Sequence, residues 1–143
     1  MTAKRTRRTG HIEKAALVEI FLGSTATLQS GMTLHAPNPR ASPKHFWVPP
    51  TDVYESGNKI IVLTEIAGVE AEDLTVTLTG RQLNISGIRR DHTPGPRAYH
   101  RLEVHFGEFR TTVDLPARVD ENDITAEYHK GFLRLTFTKL ESA

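Results

Sequence analysis

The side chains of this sequence that could bind a metal ion or transfer a proton are, first of all, its seven histidines. His100 and His105 are five residues apart, so on an extended strand they lie on opposite faces and cannot bind one ion together. His11, His35 and His45 lie in the N-terminal third, where no second ligand follows at the spacing of a zinc site. We therefore expect solvated or interface histidines and no metal site.

The acidic residues and nucleophiles form no catalytic pattern either. Residues 120–123 are an acidic run, Asp-Glu-Asn-Asp, which lacks the regular oxygen-ligand spacing and the glycine of a calcium loop. The chain has no cysteine, which excludes a thiolate nucleophile, a disulfide framework and a zinc site built on cysteine. No Gly-x-Ser-x-Gly motif and no phosphate-binding loop occurs. The sequence predicts a protein that is not an enzyme and needs no cofactor.

Alternation of apolar and polar residues with period 2 identifies the C-terminal strands. Phe109, Thr111, Val113 and Leu115 share one face, and Pro116 ends that strand because it has no amide hydrogen to give to a ladder. The same reasoning assigns an acidic turn at 120–123, a short strand at 124–129, a hairpin turn at Lys130-Gly131 and a last strand at 132–139.

Five further segments upstream have strand character. Pro49 and Pro50 confine the first of them to a sheet edge. At least seven short strands, with no helix inside the domain, predict an all-β fold, an immunoglobulin-like sandwich of antiparallel strands. The five segments are 48–55, 59–66, 74–79, 82–87 and 99–106.

We predict three regions: an N-terminal arm at 1–46, the domain at 47–139 and a short tail at 140–143. The arm is expected to be partly helical or disordered, because 11–22 has helical spacing of apolar residues and 23–45 has the Ser, Thr, Gly and Pro content of a linker. No apolar run approaches the roughly 18–20 residues that span a bilayer, and no signal-peptide pattern follows the basic start. We expect a cytoplasmic protein without stable membrane association.

The net charge of +1 conceals an asymmetry between the arm and the rest of the chain. Residues 1–50 carry seven Lys and Arg against two Glu, whereas residues 51–143 carry eleven against fifteen Asp and Glu. A basic arm leaves nucleic-acid binding open as an alternative. The predicted sheet offers no aromatic stripe on which bases could stack, so we expect a solvated basic tail and no nucleic-acid partner.

Residues 47–139 resemble the α-crystallin domain of the small heat-shock proteins, in particular those of bacteria and plants. Six pieces in the right order carry the resemblance, and the variable N-terminal arm is also typical of that family. The pieces are Pro49-Pro50-Thr51-Asp52-Val53-Tyr54-Glu55, Glu65-Ile66-Ala67-Gly68-Val69, Leu83-Asn84-Ile85-Ser86-Gly87 with Arg89-Arg90, Phe109-Arg110, Asp114-Leu115-Pro116 and Lys130-Gly131-Phe132-Leu133.

The resemblance implies a chaperone that holds partly unfolded proteins without ATP, so that they do not aggregate. Its partners would be these client proteins and a second copy of itself. Members of this type form dimers by exchanging a strand in the loop that follows the piece Leu83-Asn84-Ile85-Ser86-Gly87. Here the exchanged strand would be Tyr99, His100, Arg101, Leu102, Glu103 and Val104, and it would pair with the partner's edge strand at Thr51, Asp52, Val53 and Tyr54.

The family's C-terminal extension carries an Ile-x-Ile/Val motif that binds an apolar groove, and no such motif follows Lys139. We therefore expect small assemblies, dimers or a few dimers. By matching strands, Val76 and Leu78 line one side of the groove and Ile124 and Ala126 the other. Two interpretations of 18–22 stay open: an extended segment that fills the groove, or one face of a helix, which the spacing favours.

Client binding is assigned to exposed apolar residues, because an exposed apolar patch binds whatever protein exposes its own core. A co-chaperone of the CS-domain type, which binds one dedicated partner, is the alternative within the same fold group. The predicted strand at 99–104 argues against that alternative, because CS domains lack the exchange loop. The assigned residues are Ile12, Leu17, Ile20, Phe21 and Leu22 in the arm, with Phe46 and Trp47 at its junction with the domain.

Overall fold

A computed structural model describes residues 20–23 and 45–141 of the 143-residue chain, and the described residues form eight strands and one short 3-10 turn at Ala71–Asp73. Each strand coincides with a stretch of β-branched or alternating residues, apart from a short one near the N-terminus. The strands are β1 (Ile20–Gly23), β2 (Thr51–Ser56), β3 (Lys59–Glu65), β4 (Leu74–Thr79), β5 (Gln82–Arg89), β6 (Gly107–Asp114), β7 (Val119–His129) and β8 (Phe132–Lys139).

The strands form two four-stranded sheets that enclose one core. One sheet has the order β2-β3-β8-β7 and is antiparallel throughout. The other has the order β1-β4-β5-β6, in which β4, β5 and β6 are antiparallel and β1 runs parallel to β4. The predicted fold class, an all-β antiparallel sandwich, is confirmed.

Alternation along the strands decides which side chains are buried. In β4, Leu74, Val76 and Leu78 are buried while the threonines between them are partly or fully exposed. In β8, Leu133, Leu135 and Phe137 have no solvent exposure. The core between the sheets comprises Ile60, Val62, Ile66, Val69, Leu74, Val76, Leu78, Leu83, Ile85, Phe109, Leu115, Val119, Leu133, Leu135 and Phe137.

The hairpin between β7 and β8 turns at Lys130 and Gly131, which confirms the predicted turn. Their φ values are 49° and 84°, in the left-handed region that two-residue hairpins require. A Cβ at position 131 would lie 2.8 Å from the Cβ of Ala67. Glycine therefore serves both the turn and the close approach of the Ala67 loop.

The helix predicted for 11–22 is wrong where the structure describes it, because Ile20–Gly23 is strand β1. Isolated helices this short are marginal in water, whereas the edge of β4 supplies hydrogen-bond partners to an extended segment. Residues 1–19 and 24–44 of the predicted arm lie outside the described residues. Within the part of the chain that the structure covers, no helix is long and apolar enough to cross a membrane.

Two further predicted elements differ from the structure. Residues 99–106 form no strand in the single chain, because none of the strands within 20–23 and 45–141 lies beside them to complete a ladder. The acidic run 120–123, predicted as a turn, belongs to β7, whose pairing with β8 shifts register between Val119 and Ile124. A bulge of this kind keeps a strand continuous while its pairing register shifts.

Candidate binding surfaces

The outer edge of β2 is the first surface that could bind a partner. In the part of the chain that the structure describes, β2 is the last strand of its sheet, so one side of its backbone has no neighbouring strand there. Five of its six residues are exposed, including Val53 and Tyr54. Open edges of this kind accept an additional extended segment. All four residues predicted for this side of the exchange, 51–54, lie on β2.

The second surface is the loop between β5 and β6, hereafter the 90–106 loop, in which every residue is exposed. Leu102 and Val104 are 68% and 64% exposed, values far above those of an ordinary apolar side chain in a folded domain. Tyr99 and Phe106 are exposed as well. Since Leu102 and Val104 are two residues apart, an extended conformation would place them on one side. The predicted exchange strand, 99–104, lies within this loop.

Polar contacts give the first half of the 90–106 loop a defined shape. The guanidinium of Arg97 donates to the carbonyl of Thr93 at 2.9 Å, to the Tyr99 hydroxyl at 2.5 Å and to the Asp91 carboxylate. Asp91 also accepts from the Thr93 amide at 3.0 Å. This amide hydrogen bond, with a smaller contribution from Arg97, holds the pKa of Asp91 below its usual value. Arg97 thereby holds the residues at the start of the predicted exchange strand, 99–104, in a defined position.

The other end of the loop is anchored by a stack on the indole of Trp47. The His105 ring lies on this indole at a centroid distance of 5.8 Å and an angle of 15°. Arg89 lies 4.1 Å from the indole centroid and donates to the carbonyls of His105 at 2.7 Å and Ala67 at 2.9 Å. Trp47 itself donates from Nε1 to the Gly107 carbonyl at 3.1 Å. The start of the domain and the end of the loop are thus joined at one point.

A bidentate ion pair holds the beginning of the loop against the 3-10 turn. Arg90 donates to both carboxylate oxygens of Asp73, at 2.8 and 3.0 Å. The hydrogen bond from Arg90 holds the pKa of Asp73 below its usual value. Paired donors of this geometry are among the stronger charge-assisted contacts.

The third surface lies along β4 and β7, which belong to different sheets and pack against the same core. Val76 and Leu78 are fully buried, and Ile124 and Ala126 are partly buried against the same core. These are the four residues predicted to line the apolar groove. β1 occupies the outer edge of β4, and Ile20 packs against the core there.

The residues predicted to bind clients lie in different surroundings. Ile12 and Leu17 fall outside the described residues, and Phe21 and Leu22 belong to β1. Phe46 is 39% exposed, with the guanidinium of Arg110 4.7 Å from its ring centroid. Trp47 is partly buried under the stack described above.

A shallow apolar pocket of about 400 Å³ lies on the outer face of the β3-β8-β7 sheet. Its walls are Leu63 and Phe132, with charged residues at the rim. Within 20–23 and 45–141, no three His, Asp or Glu side chains lie close enough to hold a metal ion. The pocket therefore offers apolar contact rather than coordination.

Sequence reasoning missed the roles of Arg89, Arg97 and His105. These residues lie in or beside a segment whose Pro, Gly and charged residues predicted only a polar loop. Arg89 donates to a backbone carbonyl, Arg97 donates to the hydroxyl of a neighbouring residue, and His105 stacks on a tryptophan that is distant in the sequence. No local pattern of apolar and polar residues predicts these contacts. The one feature of the sequence that could have indicated this junction is the single tryptophan, which lies just before the first predicted strand of the domain.

Comparison with known proteins places this geometry in a family. A family model for the Hsp20/alpha crystallin family matches residues 52–143. Spore protein SP21 of Stigmatella aurantiaca is 34% identical over 101 residues, covering 70% of this chain and 59% of that protein. Heat shock protein 16 of Schizosaccharomyces pombe is 32% identical over 100 residues, covering 66% and 68%.

A solved structure, Heat shock protein 16.0 from Schizosaccharomyces pombe, has a TM-score of 0.61 at 30% identity and covers 68% of this chain and 91% of that one. The match covers only part of the length of several curated relatives: 59% and 62% of two of them and 25% of a third. The family match includes β2 from its second residue onward and every strand from β3 to β8. The chain therefore belongs to the Hsp20/alpha crystallin family.

Proposed function

We propose that this protein is an ATP-independent holdase chaperone, which binds partly unfolded proteins through apolar surfaces and prevents their aggregation under stress. The observation that carries the proposal is the family match over residues 52–143. Relatives of this chain are named as heat shock proteins. We place the activity in the cytoplasm.

The apolar surfaces support this proposal because they suit capture without sequence specificity. Exposed apolar side chains gain about 25 cal/mol for each Å² that a client covers, whatever the client's sequence. Leu102, Val104 and Phe46 are exposed, and Leu63 and Phe132 line the pocket on the outer sheet face. The arm residues Ile12, Leu17, Ile20, Phe21 and Leu22 remain client-binding candidates.

The proposal includes a homodimer formed by strand exchange. Residues 99–104 of one copy would become a strand beside β2 of the other, which would cover the open edge at 51–54 and the exposed Leu102 and Val104 together. A dimer of this kind would explain why the β2 edge and the segment 99–104 are both exposed in the single chain. Arg97 and the Trp47 stack hold the two ends of the exchanged segment in place.

The experiment is suppression of aggregation without ATP. A heat-unfolding test protein is incubated alone and with an equal molar amount of this chain, and light scattering is followed with time. A holdase lowers the scattering plateau and keeps the test protein in the soluble fraction. Addition of ATP should change neither result.

A control with an unrelated β-sandwich of similar size excludes simple crowding. Unchanged scattering at equal molar ratio would overturn the holdase proposal and favour a module dedicated to one partner, like a CS-domain co-chaperone. Solution mass from light scattering of the chain alone tests the assembly part separately. A mass of one chain would contradict the dimer.

A further inference from the structure

The apolar pocket on the outer face of the β3-β8-β7 sheet is built from two adjacent rows of cross-strand neighbours. Phe132 and Arg134 face outward on β8, because the residue between them is fully buried in the core. The register sets Leu63 and Glu127 on the two sides of Arg134, and it sets His129 beside Phe132. These side chains surround a concave site of about 400 Å³. That volume lies in the range of sites that bind small molecules.

The walls of this pocket are apolar side chains that remain in contact with water. The ring of Phe132 is 45% exposed, and Leu63 beside it is only partly buried. Covering an aromatic ring and an aliphatic side chain with a hydrocarbon removes that apolar surface from water, which is favourable. The pocket therefore suits a ligand with an apolar body.

The rim of the pocket carries two positive charges that are not neutralised. Among residues 20–23 and 45–141, neither Lys130 nor Arg134 has an ion-pair partner, and Arg134 makes no ion pair with its cross-strand neighbour Glu127. By contrast, Arg90 and Arg97 each pair with a carboxylate. Glu127 is the one acidic residue of the lining, so two cations and one anion leave the rim with a positive charge.

We propose that this pocket binds a single-chain amphipathic anion, a medium-chain fatty acid, from solution. Its hydrocarbon tail packs on Leu63 and Phe132, and its carboxylate accepts hydrogen bonds from Lys130 and Arg134. Charge complementarity and the apolar walls select this class of ligand together. The proposal does not rest on chaperone activity, so failure of the aggregation assay and failure of ligand binding are distinguishable.

Two other occupants fit the pocket less well. β3 and β8, both described over their full length, are hydrogen-bonded to a neighbouring strand on each side, so an extended peptide over the pocket would leave its own backbone groups unpaired. A hydrocarbon chain has no such groups. Residues 51–143 carry eleven Lys and Arg against fifteen Asp and Glu, so an anionic membrane is repelled by the domain as a whole. A small anion meets chiefly the local positive charge.

The test is equilibrium dialysis of the full chain against radiolabelled decanoate, at concentrations where decanoate forms no micelles. Bound decanoate should saturate at one molecule per chain. Decyltrimethylammonium, which has a tail of the same length and the opposite charge, should compete with an affinity lower by about fivefold or more. In the series hexanoate, octanoate, decanoate, each added methylene should strengthen binding by about two- to fourfold.

Substitutions at the pocket separate the contribution of the charge from that of the tail. Arg134→Gln should weaken decanoate binding by about two- to fivefold, and Arg134→Gln with Lys130→Gln by about tenfold. The matched control is Arg81→Gln, which removes an exposed arginine outside the pocket and should leave binding unchanged. Glu127→Gln should strengthen binding. Phe132→Ala, at a half-exposed position, should reduce the gain per methylene, and circular dichroism confirms that each variant is folded.

Four outcomes would overturn the proposal. The first is no bound decanoate at millimolar concentration, and the second is equal affinity for decanoate and decyltrimethylammonium. Equal losses in Arg81→Gln and Arg134→Gln would show general attraction to positive charge in place of a site. Binding to phosphatidylglycerol vesicles without binding of decanoate would identify a membrane as the partner.

Discussion

The guanidinium carbon of Arg89 lies 4.1 Å from the ring centroid of Trp47, and His105 is stacked on the same indole. Arg89 comes from the end of β5, Trp47 from the start of the domain and His105 from the end of the 90–106 loop. One tryptophan thus joins three segments that are distant in sequence. Because it is the only tryptophan in the chain, its fluorescence reports on this junction alone.

Arg89→Ala removes a cation–π contact and two hydrogen bonds to carbonyls. It should therefore shift the fluorescence emission of Trp47 to longer wavelength and lower the free energy of unfolding by about 1 kcal/mol. Arg89→Lys should recover little, because an ammonium group lacks the planar fork. Fluorescence-detected thermal unfolding measures both effects. Arg90→Ala, which removes the neighbouring arginine that pairs with Asp73, is the control and should leave the emission maximum unchanged.

Leu102→Asp combined with Val104→Asp should reduce the proposed dimer to single chains without unfolding the sandwich. Both side chains are exposed in the single chain, so charge costs little there, whereas burial of two carboxylates beside a partner's β2 is unfavourable. Light scattering gives the mass, and circular dichroism reports the fold. Ala98→Asp, in the same loop just before the exchanged segment, is the matched control. An unchanged mass for the double variant would exclude this interface.

The ion pair between Asp73 and Arg90 makes a pH-dependent contribution to stability. The pKa of Asp73 is lowered in the folded protein, chiefly by the hydrogen bond from Arg90. A lowered carboxyl pKa favours folding when the group is ionised, so the contribution is complete well above 3.8 and is lost as pH falls through the folded-state pKa below it.

Asp73→Asn should therefore lower the midpoint of thermal unfolding at pH 7, and the difference from the parent should shrink below pH 3.8. Scanning calorimetry over this range measures it. Glu72→Gln removes the same charge from the adjacent residue of the 3-10 turn and serves as the control. A difference that stays constant with pH would contradict the assigned role of Asp73.

Gly87→Ala should destabilise the fold by about 1–3 kcal/mol through overpacking. A Cβ at this position would lie 2.3 Å from the Asp73 carbonyl oxygen and 2.8 Å from the ring of Phe109, its cross-strand partner. Backbone and a fully buried ring cannot move aside easily. Urea unfolding gives the change, with Ser86→Ala on the same strand as control. A variant as stable as the parent would show that the turn at 71–73 can move away from position 87 and so avoid the clash.

Alternation predicted the strands of the sandwich because strand periodicity is local. Spacing alone puts Leu133, Leu135 and Phe137 on one face of β8, and the structure shows that this face is the buried one. The turn at Lys130-Gly131 could be predicted for the same reason, since its two left-handed residues are a property of the dipeptide. The two prolines predicted the edge position of the strand at 48–55, and the family resemblance gave residues 51–54 as its contact with a partner.

Local patterns failed where a distant strand decides the conformation. Ile20–Gly23 belongs to a stretch with helical spacing, yet it is a strand because the β4 edge lies beside it. The acidic run 120–123 has the composition of a turn, but pairing with β8 on either side keeps it within β7. Residues 99–106 have the alternation of a strand and form none in the single chain. Backbone pairing overrides propensity in the first two segments, and the third lacks a partner strand among the described residues.

The sequence by itself determined the sandwich class, the inward faces of its strands and the family, because side-chain spacing and short motifs carry that information. Tertiary structure alone decided which edges are open and which are covered. Among the strands that the structure describes, it brought β1 onto β4 and left one side of β2 without a neighbour. It also stacked Arg89 and His105 on Trp47. The physical reason is that a free sheet edge and a stack of distant side chains depend on which segments meet in space, and spacing along one segment does not encode that meeting.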